Sequence, residues 1–121
     1  MNRSFVIAGS RLAVGALVFL ALVGTVQAAE GKDVYLKNCV ACHQSTGDGL
    51  PPAFPALKGS EMVNGAADES IKLVLAGKPG TAMVAFGYLS DEDLAAVLSY
   101  IRSSWGNTGD AVTADQVKAL R

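Results

Sequence analysis

The stretch Cys39-Val40-Ala41-Cys42-His43 decides how the rest of this 121-residue sequence is interpreted. Two cysteines three positions apart, followed directly by a histidine, are the residues that covalent attachment of haem requires. The two thiols add across the vinyl groups of haem, and the adjacent imidazole then lies beneath the iron as its ligand. The motif therefore predicts one haem c, attached through Cys39 and Cys42, with His43 as the proximal iron ligand.

Two other uses of a Cys-x-x-Cys pair fit this sequence less well. A redox disulfide usually lies in a βαβ context, and the sequence shows no pattern typical of strands. A structural zinc site needs four ligands, but Cys39, Cys42 and His43 are the only cysteines and histidine in the chain. A fourth ligand would have to be a carboxylate, which is uncommon in structural zinc sites. We therefore favour haem attachment over both alternatives.

The beginning of the chain has the features of a secretory signal peptide. Arg3 and Arg11 supply positive charge, an apolar run covers residues 12–23, and Val26 and Ala28 are the small residues of a cleavage site. The apolar run is shorter than the roughly 20 residues that cross a bilayer, so cleavage is favoured over an uncleaved membrane anchor. We expect residues 1–28 to be removed after Sec-type export, which places the protein in the periplasm without stable membrane insertion.

Removal of residues 1–28 would leave 93 residues with eight basic and eleven acidic side chains, a net charge of −3 before the haem propionates are counted. This balance argues against nucleic acid as a partner, which would require a basic face. We expect one haem domain over residues 29–107 and a tail with a short helix over residues 108–121. A chain of this size buries little core by itself, so the haem would supply much of the apolar centre.

Apolar spacing and capping residues predict four helices and no strands. The first covers residues 30–38, and the second covers residues 68–76 between an Asp68 N-cap and a terminating Gly77. The last long helix opens at Ser90 with three acidic residues in its first turn and ends within residues 103–107. A capping box that begins at Thr113 opens a short helix in the tail. Turn residues fill the segment 44–60, and a loop of this length in a small domain usually wraps something.

From about residue 30 to residue 105 the sequence resembles the class I c-type cytochromes, the small monohaem proteins. The spacing of Gly31, Tyr35 and Cys39 matches the family pattern, as does the segment Pro55-Ala56-Leu57-Lys58-Gly59. The resemblance implies an all-α cytochrome c fold in which three to five short helices wrap around the covalently bound haem.

The same resemblance implies specific contacts inside the fold. The first and last long helices should cross at Gly31, so that Val97 and Tyr100 meet Gly31 and Tyr35. The Pro55 carbonyl should accept a hydrogen bond from Nδ1 of His43, which would fix the imidazole and strengthen it as a donor to iron. Leu57 should pack on the haem.

The sixth iron ligand is expected to be a methionine, because His43 is the only histidine. Met83 lies forty residues after His43, in Met83-Val84-Ala85-Phe86, a segment that resembles the Met-Pro-x-Phe segment of the family but lacks its proline. The resemblance therefore assigns Met83 to the iron and Phe86 to the haem-binding segment. Met62 is the second candidate, although a methionine is more often a filler of irregular core space.

The resemblance implies a periplasmic one-electron carrier that makes and breaks no substrate bond and is therefore not an enzyme. Residues 89–92 and 103–107 also look like those of cytochromes that partner periplasmic alcohol or aldehyde dehydrogenases. This suggests a dehydrogenase or respiratory complex as donor, an oxidase or another cytochrome as acceptor, and a monomer or a subunit of a complex as the form of the protein. The alternatives are a fixed haem subunit of a dehydrogenase, or a haem enzyme or gas sensor with a labile sixth ligand.

Overall fold

The computed structural model describes Gly15 and residues 23–121, with side chains described from Glu30 onward. The predicted signal peptide therefore lies outside the described residues, apart from Gly15 and the start of the first helix. The helices are α1 (Val23–Asn38), α2 (Val40–His43), α3 (Glu61–Asn64), α4 (Ala67–Ala76), α5 (Asp91–Ser103) and α6 (Ala114–Ala119).

The predicted all-α class is confirmed for the described part of the chain. Its only β pairing there is an isolated bridge between Leu50 and Phe54. Four of the six helices have more than one turn, and α2 and α3 are single turns of four residues. No helix within residues 23–121 is long and apolar enough to span a bilayer.

The crossing of α1 and α5 at Gly31 is confirmed. A Cβ atom at Gly31 would lie 2.2 Å from the Ala96 carbonyl oxygen and 2.8 Å from the Tyr100 Cβ, so the two helices touch through backbone at this point. One turn further along α1, the fully buried Tyr35 packs its ring 5.5 Å from the ring of Tyr100. Val97 belongs to the same buried cluster as Tyr35, but Ala96 lies closest to Gly31.

Helix α5 is the centre of the core because five consecutive residues in it, 94–98, are buried, so this part of the helix is covered on every side. The Ser90 hydroxyl accepts the Asp93 backbone N–H at 3.0 Å, which is the predicted N-cap. Three acidic residues then occupy the first turn, where the positive end of the helix dipole favours them. The buried residues that follow are Leu94, Ala95, Ala96, Val97, Leu98 and Ile101.

Two features between residues 60 and 77 differ from the sequence prediction. Helix α3 was not predicted; it begins after Ser60, whose hydroxyl accepts the Val63 N–H at 3.4 Å. Asp68 was predicted as the N-cap of α4, but that position is Ala66, which makes no side-chain cap. Asp68 instead lies in the first turn, where its charge still suits the helix dipole. Gly77 ends α4 with a φ of +69°, as predicted.

The C-terminal segment packs on α5. The predicted capping box is present, since the Thr113 hydroxyl accepts the Gln116 N–H at 3.2 Å and the Gln116 side chain accepts the Thr113 N–H at 2.8 Å. Val112 and Val117 are fully buried in the same cluster as the α5 face. The Ser99 hydroxyl both donates to the Val112 carbonyl and accepts its N–H, at 3.1 and 2.8 Å. The segment is therefore part of the packed fold.

The helix crossing makes a direct prediction for stability. Substituting Gly31→Val would force a branched side chain into the backbone of α5, and overpacking of this kind costs about 1–3 kcal/mol. We expect the denaturation midpoint of the haem-loaded protein to fall clearly. Lys32→Val, at the exposed neighbouring position, is the matched control. Equal midpoints for the two variants would show that α1 and α5 do not depend on close approach at Gly31.

Candidate haem-binding site

The attachment motif forms the single turn α2, which contains Cys42 and His43 and has Cys39 as its N-cap. The His43 N–H donates to the Cys39 carbonyl at 3.0 Å, while the Cys39 N–H donates to the Tyr35 carbonyl at 2.9 Å and links the turn to α1. Both thiols are half-buried and not joined in a disulfide. Burial, followed by the neighbouring Cys42, raises the pKa of the Cys39 thiol to about 11. Redox-active Cys-x-x-Cys pairs have lowered thiol pKa values, so this environment does not favour a redox disulfide.

The predicted hydrogen bond between the His43 side chain and the Pro55 carbonyl is present in the structure. Nδ1 of His43 lies 2.9 Å from the Pro55 carbonyl oxygen. A carbonyl oxygen can only accept, so this bond is made by a ring with a proton on Nδ1, and Nε2 is the nitrogen left to face a metal. The bond therefore fixes both the tautomer and the ring orientation that a metal-ligating histidine needs.

The loop that contains Pro55 is held next to His43 by hydrogen bonds between its own backbone groups. The N–H groups of Leu57 and Lys58 both donate to the Gly47 carbonyl, at 2.8 and 3.0 Å. The Gly49 N–H donates to the His43 carbonyl at 3.0 Å, and a Cβ at Gly49 would lie 2.4 Å from the Phe54 carbonyl oxygen. These contacts bring Pro55 back over α2 although twelve residues separate it from His43.

Trp105 is a site-supporting residue that the sequence analysis placed only at a helix end. Its indole N–H donates to the Ser45 carbonyl at 3.1 Å, across sixty residues. Its ring lies 5.3 Å from that of Tyr35 and packs so closely on Gly47 that a Cβ there would be 2.5 Å from the indole. The Tyr35 hydroxyl in turn donates to the Gln44 carbonyl at 2.6 Å, and burial of this hydroxyl raises the pKa of Tyr35. The aromatic side chains thus hold the chain where it leaves α2.

Asn107 is a second supporting residue that the sequence did not reveal. Its buried side-chain amide donates to the Leu57 carbonyl at 3.1 Å and to the Ile101 carbonyl at 2.9 Å. Its oxygen accepts the Gly59 N–H at 2.9 Å and the Asn64 amide at 3.0 Å. One side chain therefore ties the Pro55 loop, α3 and the end of α5 together. No local sequence pattern indicates this role, because the partners are 6 to 50 residues away.

Met83 lies in a tight turn built on Gly77. The Met83 carbonyl accepts the Lys78 N–H at 3.0 Å, and the Met83 N–H donates to the Thr81 hydroxyl at 3.2 Å. A Cβ at Gly77 would lie 2.7–2.8 Å from the backbone of residues 83–85, so only glycine fits at this position. The Phe86 N–H then donates to the Val74 carbonyl at 2.9 Å, which fixes the end of the methionine segment to α4. Met83 is half-buried in this turn, whereas Met62 is 46% exposed on α3.

The residues present fit a c-type haem. The thiols and the imidazole share one turn, Nδ1 of the imidazole is committed to Pro55, and no group of three or more His, Cys, Asp or Glu residues within the described chain could form another metal site. Half-buried apolar side chains that pack against the core cluster include Leu57 of the Pro55 loop and Phe86 of the methionine segment, the two apolar residues that the family resemblance assigns to the haem. The fold and the site together define a small helical domain of the c-type cytochrome class.

Comparison with known proteins agrees with this class. The family model described as "Cytochrome C oxidase, cbb3-type, subunit III" matches residues 26–101. Cytochrome c-552 of Thermus thermophilus is 35% identical over 125 residues, which covers 87% of this chain and 84% of that protein. The chain therefore belongs to this cytochrome c family, whose members hold haem c covalently.

Two further relatives are subunits of dehydrogenases. The cytochrome c subunit of the quinone alcohol dehydrogenase of Gluconobacter oxydans is 33% identical over 78% of this chain. The gluconate 2-dehydrogenase cytochrome c subunit of Pantoea cypripedii is 38% identical over 75% of this chain. The similarity covers only 22% and 24% of those subunits, so it concerns about a quarter of the length of each of them.

The role of Asn107 leads to a prediction for the loop that holds His43. Asn107→Ala would leave buried carbonyl and N–H groups without partners, which costs about 1–3 kcal/mol for each group that water cannot reach. We expect a lower denaturation midpoint and earlier loss of the native visible spectrum on titration with urea. Thr108→Ala, at the exposed next position, should behave as wild type. A variant at Asn107 as stable as that control would show that the Pro55 loop is held by its own turns alone.

Proposed function

We propose that this protein is a periplasmic one-electron carrier. It would pass electrons from a periplasmic dehydrogenase or a respiratory complex to a terminal oxidase or another cytochrome. The observation that carries the proposal is the turn Cys39–His43 with its imidazole fixed on Pro55, since this arrangement holds a haem rigidly while leaving Nε2 for the iron. When bound, the haem supplies a reversible change between ferric and ferrous iron.

The residues around the site keep the coordination constant during electron transfer. His43 is oriented by Pro55, and Met83 is the proposed sixth ligand, presented by the turn on Gly77. Soft thioether and imidazole ligands together favour a raised potential and a closed iron. Closure leaves no coordination position for a substrate, which supports a carrier that is not itself an enzyme.

The proposed location and donor rest on different features. Residues 1–28, read as a cleaved Sec-type signal peptide, support export to the periplasm. Similarity to cytochrome subunits of alcohol and gluconate dehydrogenases supports a dehydrogenase as donor. The protein would then be either a free monomeric carrier or the haem subunit of such a complex.

Covalent attachment of haem is tested by the mass of the exported protein and by attempts to extract its haem. We expect a mass equal to the chain from residue 29 plus one haem, and haem that stays with the protein in acidified acetone, because thioether bonds survive this treatment. A Cys39→Ser, Cys42→Ser double variant should release its haem. The reduced and oxidised spectra should interconvert in a one-electron titration. Extractable haem in the wild type would refute covalent attachment.

The sixth ligand is tested by comparing the two methionines of the described chain. Met83→Ala should abolish the iron–sulfur absorption band near the red end of the visible spectrum, lower the potential and let the iron bind added imidazole. Met62→Ala is the matched control and should keep the band. The reverse behaviour would assign the ligand to Met62, and a wild type without the band would favour the enzyme or gas-sensor alternative.

A further inference from the structure

The side chain of Arg121 makes an unusually complete set of contacts for a residue beyond the last helix. Its guanidinium donates to the Asp91 carboxylate at 2.5 Å, to the Gly87 carbonyl at 2.6 Å and to the Leu89 carbonyl at 2.5 Å. The side chains of Arg121 and Asp91 are 33% and 24% exposed. The hydrogen bonds of a planar, half-buried guanidinium with several acceptors stabilise a protein more than an ordinary exposed ion pair does.

These contacts fall on the turn that connects the methionine segment to α5. Gly87 follows directly after Phe86, and the Leu89 N–H donates to the Phe86 carbonyl at 3.0 Å. Asp91 is the first residue of α5. The guanidinium therefore links the carbonyls of Gly87 and Leu89 to Asp91 at the start of α5.

The methionine segment that precedes this turn is held mainly by hydrogen bonds. Its beginning is held by Gly77 and by the bond from Lys78 to Met83, and its end by the bond from Phe86 to Val74. The side chains of Ala82, Val84 and Ala85 are exposed. The Met83 N–H also donates to the Thr81 hydroxyl, and in the following turn the Tyr88 hydroxyl donates to the Asn38 side chain at 3.0 Å. The position of Met83 thus depends on a limited set of hydrogen bonds, to which Arg121 adds those at Gly87 and Leu89.

Arg121 is in turn presented by an ordered support. Its N–H donates to the Lys118 carbonyl at 3.4 Å, and Val117 on the same helix is fully buried. The capping box at Thr113 and the two bonds between Ser99 and Val112 fix α6 on α5. Because this support is already folded, little further conformational entropy is lost when the guanidinium binds the turn.

We propose that Arg121 is a positioning residue for the sixth iron ligand. Its hydrogen bonds fix the turn of residues 87–89 to the start of α5 and thereby restrain the methionine segment of residues 83–86. We call this set of contacts the Arg121 latch. This inference rests on the proposed ligation by Met83. It gives the C-terminal segment a function that its sequence does not show: keeping the iron closed.

The test compares three haem-loaded variants with the wild type. Arg121→Ala removes every contact, and Arg121→Lys keeps the charge but not the planar fork. Lys118→Ala changes an exposed residue of the same helix and is the control. The first readout is the affinity of the ferric protein for added imidazole, which competes with the sixth ligand. We expect Arg121→Ala to bind imidazole about tenfold more tightly, the effect of losing roughly one hydrogen bond to a charged group. Arg121→Lys should lie between Arg121→Ala and wild type.

The second readout is amide hydrogen exchange, which separates local opening from general loss of stability. In Arg121→Ala the amides of Lys78 and Phe86, which are bonded to Met83 and Val74, should exchange faster. The amide of Cys39, which is bonded to Tyr35, should exchange as in wild type. Equal acceleration at all three positions would overturn the proposal, because Arg121 would then support the whole fold and not the methionine segment.

Failure of the latch and failure of the ligand assignment give different results. If Met83→Ala loses the iron–sulfur band while Arg121→Ala has wild-type imidazole affinity, the latch is wrong and ligation by Met83 stands. If Met83→Ala keeps the band, both are wrong. If Arg121→Ala and Lys118→Ala gain imidazole affinity equally, the effect belongs to α6 in general, and the role of the guanidinium is refuted.

Discussion

The backbone contact between α1 and α5 at Gly31 is the constraint on which the rest of this structure depends. The absence of a side chain lets the helices approach until Gly31 meets the Ala96 carbonyl. The attachment turn α2 begins two residues after α1 ends, and Trp105 lies two residues after the end of α5. The crossing therefore brings the haem attachment turn and the aromatic support of that turn to the same side of the molecule. A wider separation would remove the tilted ring contact of Tyr35 with Tyr100 across the two helices, and with Trp105 beyond the end of α5.

Hydrogen bonds from a few side chains position the loops that the helix crossing leaves without regular structure. The segment between His43 and α3 has no regular secondary structure within its seventeen residues, so its backbone groups need partners elsewhere. Gly47, Asn107 and the Trp105 indole supply many of them. Arg102 acts in the same way on α3 and the C-terminal segment, since its buried guanidinium donates to the carbonyls of Val63 and Asp110. These side chains give the loops around the site fixed positions that apolar packing alone would not provide.

This construction suits an electron carrier. A carrier works best when its coordination changes little between two oxidation states, and rigid positioning of both axial ligands achieves this. The proximal side is fixed by one hydrogen bond between His43 and Pro55. The segment with Met83, the proposed sixth ligand, is held by Gly77 at one end and by the bond from Phe86 to Val74 at the other, and the Arg121 guanidinium binds the turn that follows. The position of His43 is thus set within the motif loop, whereas we propose that the position of Met83 depends also on Arg121, nearly forty residues further along the chain.

The sequence by itself determined those features whose physical cause is local. Haem attachment follows from five consecutive residues, and the caps at Ser90 and Thr113 follow from hydroxyl groups placed next to apolar helical patterns. The bond from His43 to Pro55 and the crossing at Gly31 were reached through family resemblance, and the structure contains both. Helix α3 and the start of α4 at Ala67 were missed, because a four-residue helix has no periodicity and Ala66 makes no side-chain cap. The supporting roles of Trp105, Asn107 and Arg121 were decided by tertiary structure alone. Each binds at least one backbone carbonyl more than 30 residues away, and a backbone carbonyl is common to every residue, so the sequence does not indicate which one is bound.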